Sequence, residues 1–105
     1  MYSPMINPHF KKRVKKFKKD AEAKKKINKA INELTLDPYN HSTSLEGNFK
    51  GKRKHRKGKV RLIFAICEEC RKLNYLPYNG CIDRDNYSDK TLMFFDVDYR
   101  HRIYR

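Results

Sequence analysis

The residues best suited to chemistry are cations spaced as on one face of a β-strand. Lys52, Lys54 and Arg56 alternate along the chain, and alternate residues of a strand point to the same side. Three cations on one face repel one another unless an anion lies across them, and a phosphodiester is such an anion. A solvated edge strand, on which lysines prevent aggregation, would show the same pattern.

A second candidate is Arg61, which interrupts an apolar strand between Val60 and Leu62. A half-buried guanidinium requires a fixed anionic partner, because burying an unpaired charge is costly. That partner is either an internal carboxylate, such as Asp96, or the phosphate of a substrate. The choice between them decides whether Arg61 is structural or functional.

The end of the sequence carries a third group of polar side chains. Residues 97–105 place arginine, histidine and tyrosine directly after the last apolar run, at Arg100, His101, Arg102 and Tyr104. Arginine can stabilise a pentavalent phosphate, and tyrosine or histidine can transfer a proton or stack on a base. A plain basic tail is the simpler interpretation.

Two helices are predicted to precede these groups. Asn7-Pro8 is typical of a helix start, with Asn7 as the N-cap, and an apolar stripe follows at Phe10, Val14 and Phe17. Asp20 can cap a second helix that ends at Asp37-Pro38. Its apolar positions are Ala23, Ile27, Ala30, Ile31 and Leu34. Both helices are therefore apolar on one side and cationic on the other.

A sheet is predicted to carry the strand cations. Residues 59–67 are apolar on one face and nearly so on the other, as in a central strand. Residues 52–57 would be its antiparallel neighbour, turned at Gly58, and residues 91–97 form another β-rich run. Residues 1–7 contain Pro4, which permits only an edge strand or an extended lead-in. This order predicts an α+β fold with two helices on one face of an antiparallel sheet.

The segment 68–90 is polar and too long for a hairpin loop, which indicates an insertion. Cys67 and Cys70 have CxxC spacing beside it and Cys81 lies within it. A zinc ribbon would place a fourth cysteine at position 84, where Arg84 stands.

These three cysteines allow several interpretations. Together with Asp83, Asp85 or a distant histidine they could hold a structural Zn²⁺. Otherwise the thiols are reduced, or Cys67 and Cys70 pair in a redox-dependent way. The odd number of cysteines argues against a secreted disulfide framework.

Length and charge limit the possible functions. A chain of 105 residues is expected to form one domain. Its net charge of +14 comes mainly from residues 11–29 and 50–61, whereas residues 68–98 are net acidic. Such a charge favours a polyanion or an acidic protein as partner. No apolar run reaches the ~18 residues of a membrane span and no signal peptide is evident, so we expect a cytoplasmic protein without a membrane partner.

Four short motifs occur in order along the chain: Leu45-x-Gly47, Lys52-x-Lys54-x-Arg56, Gly58-x-x-Arg61-Leu62-Ile63-Phe64 and Val97-x-x-Arg100-x-x-Ile103-Tyr104. Together with the basic two-helix first half, they resemble the RelE/ParE toxin superfamily. The resemblance implies one RelE-like domain over residues 1–105, with two N-terminal helices on a small twisted antiparallel sheet. It also implies cleavage of mRNA in the ribosomal A site and neutralisation by an antitoxin.

The resemblance assigns catalytic roles to five residues. Lys52 and Lys54 match the paired strand lysines of the family, one accepting the 2′-hydroxyl proton and the other stabilising charge. Arg61 matches a phosphate clamp, Arg100 a stabiliser of the transition state or leaving group, and Tyr104 a residue that stacks on a base or orients the scissile nucleotide. The resemblance also implies a metal-free attack of the RNA's own 2′-hydroxyl on the adjacent phosphate, a reaction that requires no cofactor.

Further cations are expected to bind RNA or its phosphates. They are Lys12, Lys15, Lys16 and Lys19 on the helices, and Arg53, His55, Arg56, His101 and Arg102 near the catalytic set. Many relatives have a histidine before the last arginine, where this chain has Tyr99. Either His55 or His101 could be the acid or base, which leaves the proton-transfer roles open.

The expected partners are an acidic, RelB-like antitoxin and the ribosome with its rRNA and mRNA. One alternative is a ParE-type inhibitor of DNA gyrase, although such members generally lack the catalytic set. Another is a protein of this fold that binds RNA or an antitoxin without catalysis.

Overall fold

The computed structural model describes residues 1–74 and 88–100. The elements in chain order are β1 (Ser3–Ile6), α1 (Pro8–Lys15), α2 (Ala21–Leu36), β2 (Thr43–Ser44), β3 (Arg53–Lys57), β4 (Val60–Ile66), α3 (Cys67–Lys72) and β5 (Thr91–Tyr99), with a short 3₁₀ turn at Gly47–Phe49. The α+β class predicted from the sequence is confirmed.

Both N-terminal helices begin where their capping residues predict. The side chain of Asn7 accepts a hydrogen bond from the His9 amide at 2.8 Å, and that of Asp20 accepts one from the Ala23 amide at 3.0 Å. These contacts satisfy amides that have no partner within the helix. α1 ends at Lys15, so that Phe17 reaches the core from the turn that follows.

The five strands form one sheet in the order β1-β5-β4-β3-β2. The neighbours from β2 to β5 are antiparallel. β1 pairs with β5 in parallel, from Ser3 opposite Thr91 to Ile6 opposite Phe94. The expectation of an antiparallel sheet therefore fails at this edge, and the sheet is mixed. The long crossover through the helices and the other strands is the kind of connection that parallel neighbours require.

The hydrophobic core lies between the two N-terminal helices and one face of the sheet. The Phe94 ring packs 5.5 Å from the rings of Phe10 and Phe64, measured between centroids. Ile27 and Leu34 of α2 belong to the same buried cluster. The helices thus cover one sheet face, and strand residues of opposite parity point away from them.

The segment expected to be an insertion begins with a helix that the sequence did not predict. α3 starts directly after β4, and its Cys67 and Cys70 are both buried. Residues 75–87 of the segment lie outside the described residues. Within the two described stretches, no helix is long and apolar enough to cross a membrane.

Candidate functional site

The pairing of β3 with β4 decides which cations share a face. Arg56 lies opposite Arg61 and Lys54 opposite Ile63, whereas His55 lies opposite the core residue Leu62. Directly opposed residues of antiparallel strands point to the same side. Lys54, Arg56 and Arg61 therefore belong to the sheet face that the N-terminal helices do not cover.

A cleft of about 580 Å³ lies on this face. Lys54, Arg56, Arg61 and Arg100 line it, and we call these four side chains with their cavity the cationic cleft. The remaining described lining comes from residues 40–43, which we call the cleft wall. No carboxylate occurs among the described lining residues, so the cleft suits an anion.

The turn before β4 fixes the guanidinium of Arg61. Its Nη1 donates to the carbonyl oxygens of Gly58 at 2.8 Å and Val60 at 3.0 Å, and the residue is only 6% exposed. Gly58 has a φ of +60°, a conformation that favours glycine. A buried, oriented guanidinium can bind a phosphate with little reorganisation.

The acidic residues of β5 are engaged by α1. Asp96, which the sequence offers as a partner for Arg61, lies 3.3 Å from His9 Nε2 and 3.4 Å from Arg13 Nε. Asp98 pairs with Arg61 in the strand register, and its Oδ2 accepts from Arg13 Nη1 at 3.0 Å. Arg13 thus partly compensates the negative charge beside the cationic cleft.

Arg100 reaches the cleft from the far end of the sequence. Its amide donates to the carbonyl oxygen of Lys59 at 2.9 Å, which joins the end of β5 to the β3–β4 turn. This contact brings Arg100 to the start of β4, where Arg61 lies, and the pairing of β3 with β4 places Lys54 on the same face.

Lys52 lies beside the cationic cleft and not in its described lining. Its Nζ stands 5.2 Å from the centre of the Phe95 ring. Of the paired lysines that the resemblance names, Lys54 is the one in the cleft.

Arg53 and His55 point to the other side of β3 and bind the cleft wall from behind. Arg53 donates from Nε to Ser42 Oγ at 2.7 Å and from Nη2 to the Ser42 carbonyl at 3.2 Å. Its Nη1 forms an ion pair with Glu69 of α3 at 2.8 Å. His55 Nδ1 lies 2.5 Å from the carbonyl oxygen of His41. These two residues, expected to bind RNA, instead position the wall.

His55 is buried in a polar cluster between β3 and α2. Burial lowers the pKa of His55, opposed by its hydrogen bond to His41, so the neutral ring with its proton on Nδ1 is favoured. Within the described structure Nε2 has no hydrogen-bond partner, and it lies 3.7 Å from Glu33 Oε2. A hydrogen bond from Lys57 lowers the pKa of Glu33 and holds that carboxylate in its charged form.

The helical lysines form a separate surface. Lys12 and Lys15 belong to α1, Lys16 and Lys19 follow it, and all four are exposed. None of them is among the described residues that line the cationic cleft.

The structure gives the two described cysteines, Cys67 and Cys70, a packing role. Cys70 Sγ lies 3.8 Å from the carbonyl oxygen of Gly51, and both α3 thiols are buried. In the part of the chain that is described, no group of three or more His, Cys, Asp or Glu side chains could hold a metal ion. Cys81 lies outside that part, as do His101, Arg102 and Tyr104.

The sequence interpretation missed the cleft wall. Asn40, His41, Ser42 and Thr43 form a polar run between the end of α2 and the basic strand. His41, shortly before the cationic strand β3, was the sequence signal that could have pointed to this part of the site. Only the pairing of β2 with β3, Thr43 opposite Lys54, brings that run to the cleft.

Several solved structures resemble this chain in fold over nearly its whole length. The toxin–antitoxin complex RelBE2 from Mycobacterium tuberculosis matches at a TM-score of 0.64 and 18% identity, covering 94% of this chain and 98% of that chain. YafQ from E. coli strain BL21(DE3) matches at 0.64 and 16% over the whole of both chains. The YoeB–YefM complex from Staphylococcus aureus matches at 0.61 and 14%, covering 95% and 98%.

The chain has a RelE-like fold. At these identities the likeness concerns the fold, and no protein-family model and no curated protein matches the sequence. Within the RelE-like fold of this chain, the cationic cleft lies on the sheet face away from the two N-terminal helices.

Proposed function

We propose that this RelE-like chain is the toxin of a toxin–antitoxin pair and an endoribonuclease that cleaves mRNA in the ribosomal A site. The observation that carries the proposal is the cationic cleft, where four cations surround one cavity with no carboxylate among the described lining residues. Two of the solved structures of the same fold, RelBE2 and YoeB–YefM, are toxin–antitoxin complexes by name.

The cleft supplies what a metal-free transesterification needs. The 2′-oxygen of RNA attacks the adjacent phosphorus, the bond to the 5′-oxygen breaks, and a 2′,3′-cyclic phosphate forms. Arg61 and Arg100 would bind the non-bridging oxygens, whose negative charge grows in the transition state. Arg56, on the same face as Arg61, would add to this stabilisation.

Two proton transfers complete the reaction. Lys54, in its neutral form, would accept the proton from the 2′-hydroxyl. His41 is the one imidazole among the described lining residues, and we assign it the donation of a proton to the leaving 5′-oxygen. An imidazole is suited to this step because it exchanges protons near neutral pH.

Reconstituted translation tests this proposal directly. Primer extension on a translated mRNA should show cuts in the A site with the wild type. The cuts should disappear with Lys54→Ala and Arg61→Ala, and should decrease with His41→Ala. Lys25→Ala is the matched control, because it removes an exposed lysine of α2 that does not line the cleft.

Other outcomes would overturn the proposal. Unaffected translation with inhibited DNA gyrase would identify a ParE-type protein. Salt-sensitive RNA binding without cleavage on programmed ribosomes would identify a non-catalytic member of the fold. Growth arrest that persists in Arg61→Ala would separate toxicity from the cationic cleft.

Docking to the ribosome is assigned to the helical lysines. Replacing Lys12, Lys15, Lys16 and Lys19 together by Ala should weaken ribosome binding and flatten its salt dependence, because each phosphate contact releases counterions. Cleavage at saturating ribosome should persist. Loss of the cleavage step itself would contradict this division of roles.

The proposed protein partner is an acidic antitoxin. A chain with a net charge of +14 and an open cationic cleft is complementary to an acidic, amphipathic segment. A short acidic reading frame next to the gene, whose product restores growth and co-purifies with this chain, would support the pairing. A neighbouring product that binds the chain but leaves RNA cleavage intact would contradict neutralisation through the cleft.

A further inference from the structure

Two carboxylates of β5 stand on the same sheet face as the cationic cleft. Asp98 lies directly opposite Arg61 in the strand register, and Asp96 lies opposite Ile63. Directly opposed residues of antiparallel strands have Cβ atoms about 4.5–5.5 Å apart, so a change of rotamer can bring the Asp98 carboxylate to the Arg61 guanidinium. Asp98 is therefore an internal anion that can compete with a phosphate for Arg61.

Both oxygens of the Asp98 carboxylate have other partners in the structure. Oδ1 accepts a hydrogen bond from the amide of Tyr99 at 2.8 Å, and Oδ2 accepts one from Arg13 Nη1 of α1 at 3.0 Å. The Nε of the same guanidinium lies 3.4 Å from Asp96 Oδ1. Arg13 thus bridges the two carboxylates of β5.

Burial prevents water from replacing Arg13 at Asp98. The Asp98 side chain is only 10% exposed, and a carboxylate at such a depth is costly unless a cation pairs with it. His9 of α1 stands beside Asp96, whereas the cation directly across the strand pair from Asp98 is Arg61. Without the Arg13 guanidinium, Asp98 is therefore expected to turn to Arg61.

Such a turn would change the charge that the cleft offers to an anion. The Arg61 guanidinium donates to the carbonyl oxygens of Gly58 and Val60, which orient it and bring no negative charge of their own. A carboxylate added to these partners would occupy further N–H groups and cancel the positive charge. Both are what a guanidinium uses to bind a phosphate.

We infer that Arg13 is a positioning residue of the cationic cleft, which holds Asp98 and thereby keeps Arg61 for the phosphate of the substrate. Arg13 is not among the described residues that line the cleft, and it acts through Asp98. The internal carboxylate that competes for Arg61 is thus Asp98 and not Asp96. The inference rests on the proposed function in one respect, because it takes a phosphodiester as the ligand of the cleft.

A double-mutant cycle on ligand binding tests this role. The ligand is 2′-O-methyluridylyl-(3′→5′)-uridine, which contains one phosphodiester and no 2′-hydroxyl that can attack it, and NMR titration measures its affinity. Arg13→Gln should weaken binding about tenfold, as for the loss of one charge-assisted hydrogen bond to the phosphate. Asp98→Asn alone should change binding by less than about twofold. In the Asp98→Asn background, Arg13→Gln should no longer weaken binding, because the competing anion is gone.

A matched control removes the same charge from the same helix. Lys11 is an exposed residue of α1, and Lys11→Gln should leave dinucleotide binding unchanged. If Arg13→Gln does not fold, Arg13→Lys serves in the same cycle with a smaller loss, because an ammonium group cannot bridge two carboxylates through a planar fork.

Two results would overturn the role of Arg13. Equal weakening by Arg13→Gln in the wild-type and Asp98→Asn backgrounds would show that Arg13 acts only as a distant positive charge. Unchanged binding in Arg13→Gln would show that Asp98 does not turn to Arg61. Either result together with A-site cleavage by the wild type would leave the proposed function standing. The expected coupling in a protein that cleaves no mRNA would overturn the nuclease proposal and retain the role of Arg13.

Discussion

The contact between Arg53 and the cleft wall yields a prediction about stability and binding together. β2 contributes only two residue pairs to the sheet, too few to hold an edge strand by themselves. Arg53 adds two hydrogen bonds to Ser42 and an ion pair with Glu69. We expect Arg53→Met, which keeps much of the side-chain volume, to release the wall.

The expected loss in the free energy of unfolding follows from the burial of the ion pair between Arg53 and Glu69. The side chains of Arg53 and Glu69 are 11% and 12% exposed, and removing one partner of a buried pair costs about 3–5 kcal/mol. Each lost hydrogen bond to Ser42 adds about 1 kcal/mol. Partial solvation of Glu69 offsets some of this, so we expect a loss of about 3–4 kcal/mol, within the total of ~5–15 kcal/mol for a small domain.

Equilibrium denaturation in urea measures this loss, and two further variants identify its origin. Ser42→Ala removes two hydrogen bonds of the hydroxyl, one accepted from Arg53 Nε and one donated to the Pro38 carbonyl oxygen, without removing a charge. Its cost should therefore be about 2 kcal/mol. The double variant Arg53→Met with Glu69→Met removes the orphaned carboxylate, and should therefore be more stable than Arg53→Met alone. All three variants should bind a nucleoside 3′,5′-bisphosphate, a small ligand for the cationic cleft, more weakly than the wild type, because the cleft wall lines this cleft.

Either of two results would refute this reasoning. Arg53→Met with unchanged stability and unchanged bisphosphate binding would show that Arg53 does not position the wall. A double variant less stable than Arg53→Met would show that Glu69 contributes through contacts other than Arg53.

Three shorter predictions concern the surroundings of the cleft. The free energy of unfolding should fall as the pH drops below about 6.5, because burial lowers the folded-state pKa of His55 and the unfolded chain takes up its proton first. Urea denaturation at a series of pH values measures this dependence, and His55→Asn should flatten it below about pH 6.5. An unchanged profile in His55→Asn would exclude His55 as the source of the pH dependence. Gly58→Ala should reduce stability by about 1–2 kcal/mol, since φ is +60°, and should also reduce RNA cleavage. Gly47→Ala is the control, because Gly47 has a φ of +64° and no atom lies within 4 Å of the added Cβ. It should cost a similar amount of stability and leave RNA cleavage intact. Equal loss of cleavage in Gly58→Ala and Gly47→Ala would contradict a role of the Gly58 turn. In a Cys81→Ser background, the two buried α3 thiols should react with a thiol reagent only on unfolding, and rapid labelling of the native protein would contradict their burial.

The sequence correctly predicted the two N-terminal helices and the central strand β4, whose positions depend on nearby residues. Asn7 and Asp20 cap the two helices as their side chains allow. The apolar strand at Val60–Ile66 is buried over its whole length. Capping and burial patterns depend on neighbours a few residues away, so a single sequence contains them.

The partners of β3 could not be predicted in the same way. Strand alternation separates Lys54 and Arg56 from Arg53 and His55, but it does not show what covers each side. The contacts of Arg53 come from Ser42 and from Glu69 of an unpredicted helix. Likewise, nothing in the four residues of β1 specifies a parallel neighbour almost ninety positions away.

The position of β5 in the sheet has a consequence for the timing of synthesis. β5 lies between β1 and β4, and Arg100 at its end joins Arg61 in the cleft. Since a ribosome makes the chain from the N-terminus, β1 stays unpaired and the cleft incomplete until β5 and Arg100 have left the exit tunnel. Under the proposed function, a chain whose β5 has not yet emerged cannot attack the ribosome that is making it, and a product truncated before β5 is harmless to the cell. Emergence of β5 and Arg100 from the exit tunnel is then the event that starts the competition between antitoxin and target.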